Sequence, residues 1–143
     1  MASPSLQVAR AGVTIRATPE RAFDAWLDPK LAVQFLGAGG SEVSTFENDP
    51  REGGAFRLVM SFPDRHVPHE GRYVLIDRPR RLIFTWVSAG TDERLSLVTV
   101  TFTSVPEGVR VDLVHEGLPD AERAANHTYG WGTILAQLEA FIR

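Results

Sequence analysis

The chain has 143 residues, 43% of them hydrophobic and 23% charged, with a formal net charge of −3. That length suits one domain with one sizeable core, and a mildly acidic balance without a basic run argues against a nucleic-acid footprint and against binding to an anionic membrane surface. Cysteine is absent, which excludes disulfides, zinc–thiolate centres and thiol nucleophiles.

The opening residues, MASPSLQVARAG, lack the charged segment and apolar core of a signal peptide. No apolar run approaches the roughly 20 residues that span a bilayer. The expectation is a soluble, cytoplasmic, single domain over residues 1–143, frayed at residues 1–5, with no membrane insertion and no nucleic-acid partner.

Leu6 to Ala17 read as a first strand, with Gly12 as a candidate bulge. "TPERAFDAWLD" then opens a helix: Thr18 is placed to cap it, Pro19 sits at its first position, and Ala22, Phe23, Trp26 and Leu27 form its apolar face. Asp28-Pro29 ends it. A second short helix, Pro29 to Phe35, stops at the glycines of "GAGG".

From Glu42 the pattern changes to period two. Strands are predicted at Glu42–Asn48, Ala55–Phe62, Pro68–Asp77, Arg81–Ser88, Leu95–Val105 and Val109–Glu116. Turn chemistry separates them, in "DPREGG", "PDRH", "DRPR", "AGTDE" and "PEG". Val98, Val100 and Phe102 alternate with Thr99, Thr101 and Thr103, as expected for an antiparallel sheet covered on one face. The closing stretch, "LPDAERAANHTYGWGTILAQLEAFIR", reads as one long helix. Six or seven strands, two short helices and one long helix make an α+β, two-layer arrangement.

At 100° per residue, His127, Trp131, Ile134, Leu135, Leu138 and Ile142 share one face of the last helix. Tyr129, Thr133, Ala136 and Gln137 lie away from it. Gly130 and Gly132 flank Trp131, although glycine inside a helix costs about 0.5–1 kcal/mol relative to alanine. Three explanations stay open: a close approach of neighbouring chain, a kink beside the indole, or a break between two helices.

Within the strands, Val109, Val111, Leu113 and His115 share a face. Phe56, Leu58, Met60 and Phe62 form another apolar row, and Phe84 and Trp86 a third. By spacing alone these rows describe a core. His115 and His127 read either as polar handles in an apolar pocket or as hydrogen-bonded core histidines, with the second the commoner outcome.

Chemistry-bearing motifs are sparse. There is no G-x-S-x-G elbow, P-loop, dinucleotide fingerprint or H-E-x-x-H, so neither a cofactor nor a bound metal is expected. "HVPHEG" brings His66 and His69 close in sequence, but alternation sends them to opposite faces of a strand. Asp24, Glu47, Glu70 and Glu116 are possible acids or bases with no identifiable partner.

The order of these elements resembles the helix-grip fold of the START-like superfamily. More narrowly, the chain is similar to the bacterial branch named after the activator of heat-shock protein 90 ATPase. The segments that carry the likeness are "VTIRATPERAFDAWLDP", "DPREGGAFRL", "HEGRYVLIDRPRRLIFTW", "LSLVTVTFTSVPEGVRVDLVHEGLP" and "HTYGWGTILAQLEAFI". Together they span nearly the whole chain.

The resemblance implies a curved antiparallel sheet of six to seven strands around the C-terminal helix. It also implies a cavity between the two that holds a hydrophobic or aromatic small molecule. Leu58, Met60, Val98, Val100 and Leu135 would line that cavity, with Trp131 in its wall, His115 and His127 nearby, and Phe56 and Trp86 opposite. Relatives usually carry an aromatic, often a tryptophan pair, in the second short helix. Here the chain reads "AVQFLGAG", and Phe35 takes that place.

Members of the superfamily range from carriers to cyclases and hydrolases, so fold fixes no reaction. Small-molecule binding is the favoured function. A cyclase- or hydrolase-type enzyme using His115 for proton transfer and a co-chaperone-like interaction module are the alternatives. A homodimer is compatible with the sequence but not specified by it.

Overall fold

A computed structural model describes residues 7–143 of the chain. The expected fraying of residues 1–5 and the start of the first strand at Leu6 lie outside the described residues. Strand β1 (Gln7–Ile15) leads into two short helices, α1 (Pro19–Asp24) and α2 (Pro29–Ala32). Six strands follow: β2 (Glu42–Asn48), β3 (Ala55–Ser61), β4 (His66–Asp77), β5 (Arg81–Ser88), β6 (Ser96–Val105) and β7 (Gly108–Leu118). Helix α3 (Ala121–Ile142) closes the fold.

The helix starts follow from local chemistry. Thr18 Oγ1 accepts the Arg21 amide at 3.1 Å, with Pro19 at the first helical position. Asp28 repeats the device for α2, accepting the Lys30 amide at 2.9 Å, and Pro29 fixes the backbone behind it. Asp120 caps α3 by accepting the Arg123 amide at 2.8 Å and binds the Arg123 guanidinium at 2.6 Å. Helix α2 is shorter than expected, because turns rather than helix carry Val33 to Phe35.

The seven strands form one curved antiparallel sheet in the order β1-β7-β6-β5-β4-β3-β2. Strands β2 to β7 meander, and β1 pairs with β7, so the first and last strands lie side by side at one end of the sheet. Gly12 is not a bulge: it pairs in register with Asp112, and the irregularity falls between Gln7 and Ala9. Gly12 lies under the Arg110 and Asp112 side chains, which cross the space that a β-carbon would fill.

Alternation is expressed as expected. Val98, Val100 and Phe102 are buried with Val109, Val111 and Leu113, whereas Thr103 on the opposite face is exposed. Helix α3 packs on β1 and β7, and Trp131, Ile134, Leu135, Leu138 and Ile142 join the same core as those valines. Full burial of each leucine or isoleucine contributes roughly 1.5–3 kcal/mol. An exposed bidentate pair, Arg78 to Asp24 at 2.7 and 2.9 Å, ties the turn after β4 to α1. Among the described residues no helix is long and apolar enough to cross a membrane.

Candidate functional site

Where the N-terminal half of α3 passes the ends of β3, β4 and β5, the two layers separate into a cleft of about 660 Å³. The sheet contributes Met60, Val67, His69, Trp86 and Ser88, and the helix contributes Asn126, His127, Tyr129, Gly130, Trp131 and Ile134. Three connections complete the lining: Ala38 and Gly39, the Phe62–Arg65 turn, and Ala89–Gly90. The last is one 3-10 turn held by a reciprocal cap. Ser88 Oγ accepts the Gly90 amide at 3.1 Å, and Thr91 Oγ1 accepts the Ser88 amide at 3.2 Å.

The back wall is aromatic. The rings of Trp86 and Trp131 lie 5.1 Å apart, and His69 packs 4.8 Å from Trp86. Behind them Trp26 stands 6.4 Å from Trp131 and meets Phe35 edge-on at 5.2 Å. The Trp131 indole N–H is bonded, whereas those of Trp26 and Trp86 are buried with no partner among the described residues.

A directed hydrogen-bond chain fixes the inner histidine. An indole can only donate, so Trp131 Nε1 gives its proton to His115 Nδ1 at 3.0 Å. The neutral ring then carries its proton on Nε2 and donates to Ser96 Oγ at 2.7 Å, and Ser96 donates to the Trp86 carbonyl at 2.6 Å. His115 is fully buried, and burial, together with the nearby His127, lowers its pKa to about 3.

His69 and His127 belong to the cleft itself. The Val67 carbonyl accepts from His69 Nδ1 at 3.1 Å, and burial lowers this pKa to about 4. His127 Nδ1 donates to the Arg123 carbonyl one turn earlier at 2.7 Å, and burial lowers its pKa as well. At the rim, the Arg65 guanidinium lies 4.3 Å from the Phe62 ring centroid and 3.1 Å from Asp64.

Of the residues anticipated from sequence, Met60, Trp86, His127 and Trp131 line this cleft. Phe35, Leu58, Val98, Val100, His115 and Leu135 are buried in or beside the core and do not line it. Phe56 sides a gap of about 20 Å³ that it shares with Trp26, Tyr73 and Trp86. His66 and His69 do occupy opposite faces, with His66 exposed and His69 buried. None of the four acids borders the cleft: Asp24 is paired with Arg78, and Glu47, Glu70 and Glu116 are exposed.

The glycines beside Trp131 neither break nor divide α3, which runs unbroken. A β-carbon on Gly130 would reach Ala38 Cβ at 3.6 Å, an ordinary contact across the cleft, and one on Gly132 would meet open space. His69 was not anticipated as a lining residue: it sits in the polar first half of β4, and only strand alternation, which puts it on the face of buried Tyr73, marks it as inward. Tyr129, expected on the helix face turned from the core, stands at the cleft rim, 75% exposed. Gln137, on the same outer side, donates to the carbonyls of Phe35 and Gly37 at 2.8 and 2.7 Å and anchors the loop that carries Ala38.

No curated protein matches this chain. Among solved structures, a protein of Chromobacterium violaceum is similar over 97% of this chain and 98% of its own, at 28% identity and a TM-score of 0.86. A protein of Nitrosomonas europaea shares the fold at 19% identity, covering 94% of this chain and 92% of its own, with a TM-score of 0.80. An AHSA1-like protein from Aeromonas hydrophila does so at 23% identity, 94% and 91% coverage and a TM-score of 0.76. The model of the family described as activator of Hsp90 ATPase homolog 1-like protein matches residues 16–143. With the sheet, the gripping helix and that match in agreement, the chain belongs to the activator of Hsp90 ATPase homolog 1-like family, within the helix-grip fold.

Proposed function

We propose that the protein binds a small hydrophobic or aromatic molecule in the cleft between the sheet and α3, acting as a single cytoplasmic domain. The observation that carries this reading is the cleft of about 660 Å³ with Trp86 and Trp131 side by side in its wall. A volume in the range of small-molecule sites, an apolar lining and a few polar groups are the usual composition of a ligand pocket. Carriage rather than turnover is favoured because both ring nitrogens of His115 are committed to protein partners.

Tryptophan fluorescence during titration with 2-methoxynaphthalene tests the reading. Saturable, one-to-one quenching is expected, and Ala38→Leu, which narrows the mouth opposite Gly130, should weaken binding by about tenfold, a loss of about 1.4 kcal/mol. Absence of saturable binding, or affinity indifferent to Ala38→Leu, would refute it.

A further inference from the structure

We propose that the ligand of the cleft is a hydroxylated aromatic, of the phenol or naphthol class, whose O–H donates to His127 Nε2. This rests on the cleft being a ligand site, as argued above, and adds the chemistry of what it selects.

The inference starts from the helix backbone. The Arg123 carbonyl can only accept, so at 2.7 Å from His127 Nδ1 it fixes the ring proton on Nδ1. The neutral imidazole is left with a lone pair on Nε2. No hydrogen bond to Nε2 is made among the described residues, and that nitrogen is not one of the buried polar atoms lacking a partner. It lies in the cleft lining beside Gly90, 3.4 Å from where a Gly90 β-carbon would stand. The wall there is therefore bare backbone, with no side chain to occupy the acceptor.

The groups around His127 keep the ring neutral. From its own helix comes the Arg123 guanidinium, paired with Asp120 at 2.6 Å and 4.0 Å from Asp92. From β7 the neutral His115 ring stands 4.8 Å away, edge to face, and from β4 comes His69. Burial disfavours an imidazolium most, and with the Arg123 charge it outweighs the Arg123 carbonyl, which favours one. A neutral acceptor selects a hydrogen-bond donor on the ligand, whereas a methyl ether offers it no proton. The remaining walls, Trp86, Trp131, Met60 and Ile134, suit the planar apolar body of an aromatic.

The test compares 2-naphthol with 2-methoxynaphthalene, two ligands of the same ring system that differ in the O–H. At pH 7.5 the wild type should bind the naphthol about 3–10-fold more tightly, the margin of one net neutral hydrogen bond. His127→Phe should bring the two affinities together. In wild-type protein labelled with ¹⁵N-histidine, the unprotonated Nε2 resonance of His127 should move on adding naphthol and not on adding the ether, a readout that needs no variant.

Equal affinities with no movement of Nε2 would overturn the inference while leaving the cleft a ligand site. A preference that persists in folded His127→Phe would remove His127 as the acceptor. Failure of both compounds to bind would instead strike the cleft reading itself, and this inference with it.

Discussion

His115 and Trp131 carry the sharpest consequences of single side chains. Trp131 is both wall and core: it lines the cleft, yet it is only 2% exposed and its N–H holds His115. Trp131→Phe should keep most of the apolar contact but leave His115 Nδ1 without its donor, costing about 1–3 kcal/mol for the unmet group. Urea denaturation measures that loss. Proton linkage gives a second expectation. His115 and His69 have folded-state pKa values of about 3 and about 4, below the ordinary histidine value of 6.5. Below pH 6.5 the unfolded chain therefore binds protons that the folded chain refuses. Stability should be full above that pH and fall as pH drops toward 4, by on the order of 1 kcal/mol per pH unit for each histidine. A flat stability profile between pH 6.5 and 4.5 would contradict the neutral, buried state of both rings.

Among the elements, α3 separates what the sequence made legible from what it did not. Its stripe from Trp131 to Ile142 was readable because a 3.6-residue period reports which side meets a core. The role of Gly130 was not, since it depends on Ala38, more than 90 residues earlier in the chain. Gly130 and Gly132 should respond differently to alanine. Gly132→Ala adds a methyl group to open space and should raise stability by about 0.5–1 kcal/mol, with ligand affinity unchanged. Gly130→Ala gains similar helix propensity but puts its methyl group against Ala38 at the cleft, so affinity should fall while the melting temperature rises. Equal effects on binding would mean that the cleft does not reach Gly130. The strands show the same division. Alternation marked the buried face of β6 and β7, but it could not say that the open space lies at the β3–β5 side, because strand order is a property of pairing across the whole sheet.

At the scale of the molecule, a seven-stranded sheet grips one end of α3 tightly and leaves the other end over a cleft. The core valines expected to line a cavity, Val98 and Val100, instead fill the gripped end with Leu135 and Leu138. Apolar rows look alike in sequence whether they meet each other or a ligand. Of the polar lining, His127 was legible on its helix face, but its meeting with His69 and Gly90 was not, since the three converge from α3, β4 and a 3-10 turn. A second depression, of about 640 Å³, lies on the outer face of the sheet among Glu47, Arg57, Glu70, Arg72 and Leu95. Its charged rim suits solvent better than an aromatic ligand. Amide chemical-shift mapping of the uniformly ¹⁵N-labelled protein with 2-naphthol discriminates directly between the two faces. Perturbations are expected at the Trp131 indole N–H and at the amides of Ala38, Gly39, Gly90 and His127. Perturbations confined to Arg57, Arg72 and Leu95, or none at saturating ligand, would contradict binding in the cleft.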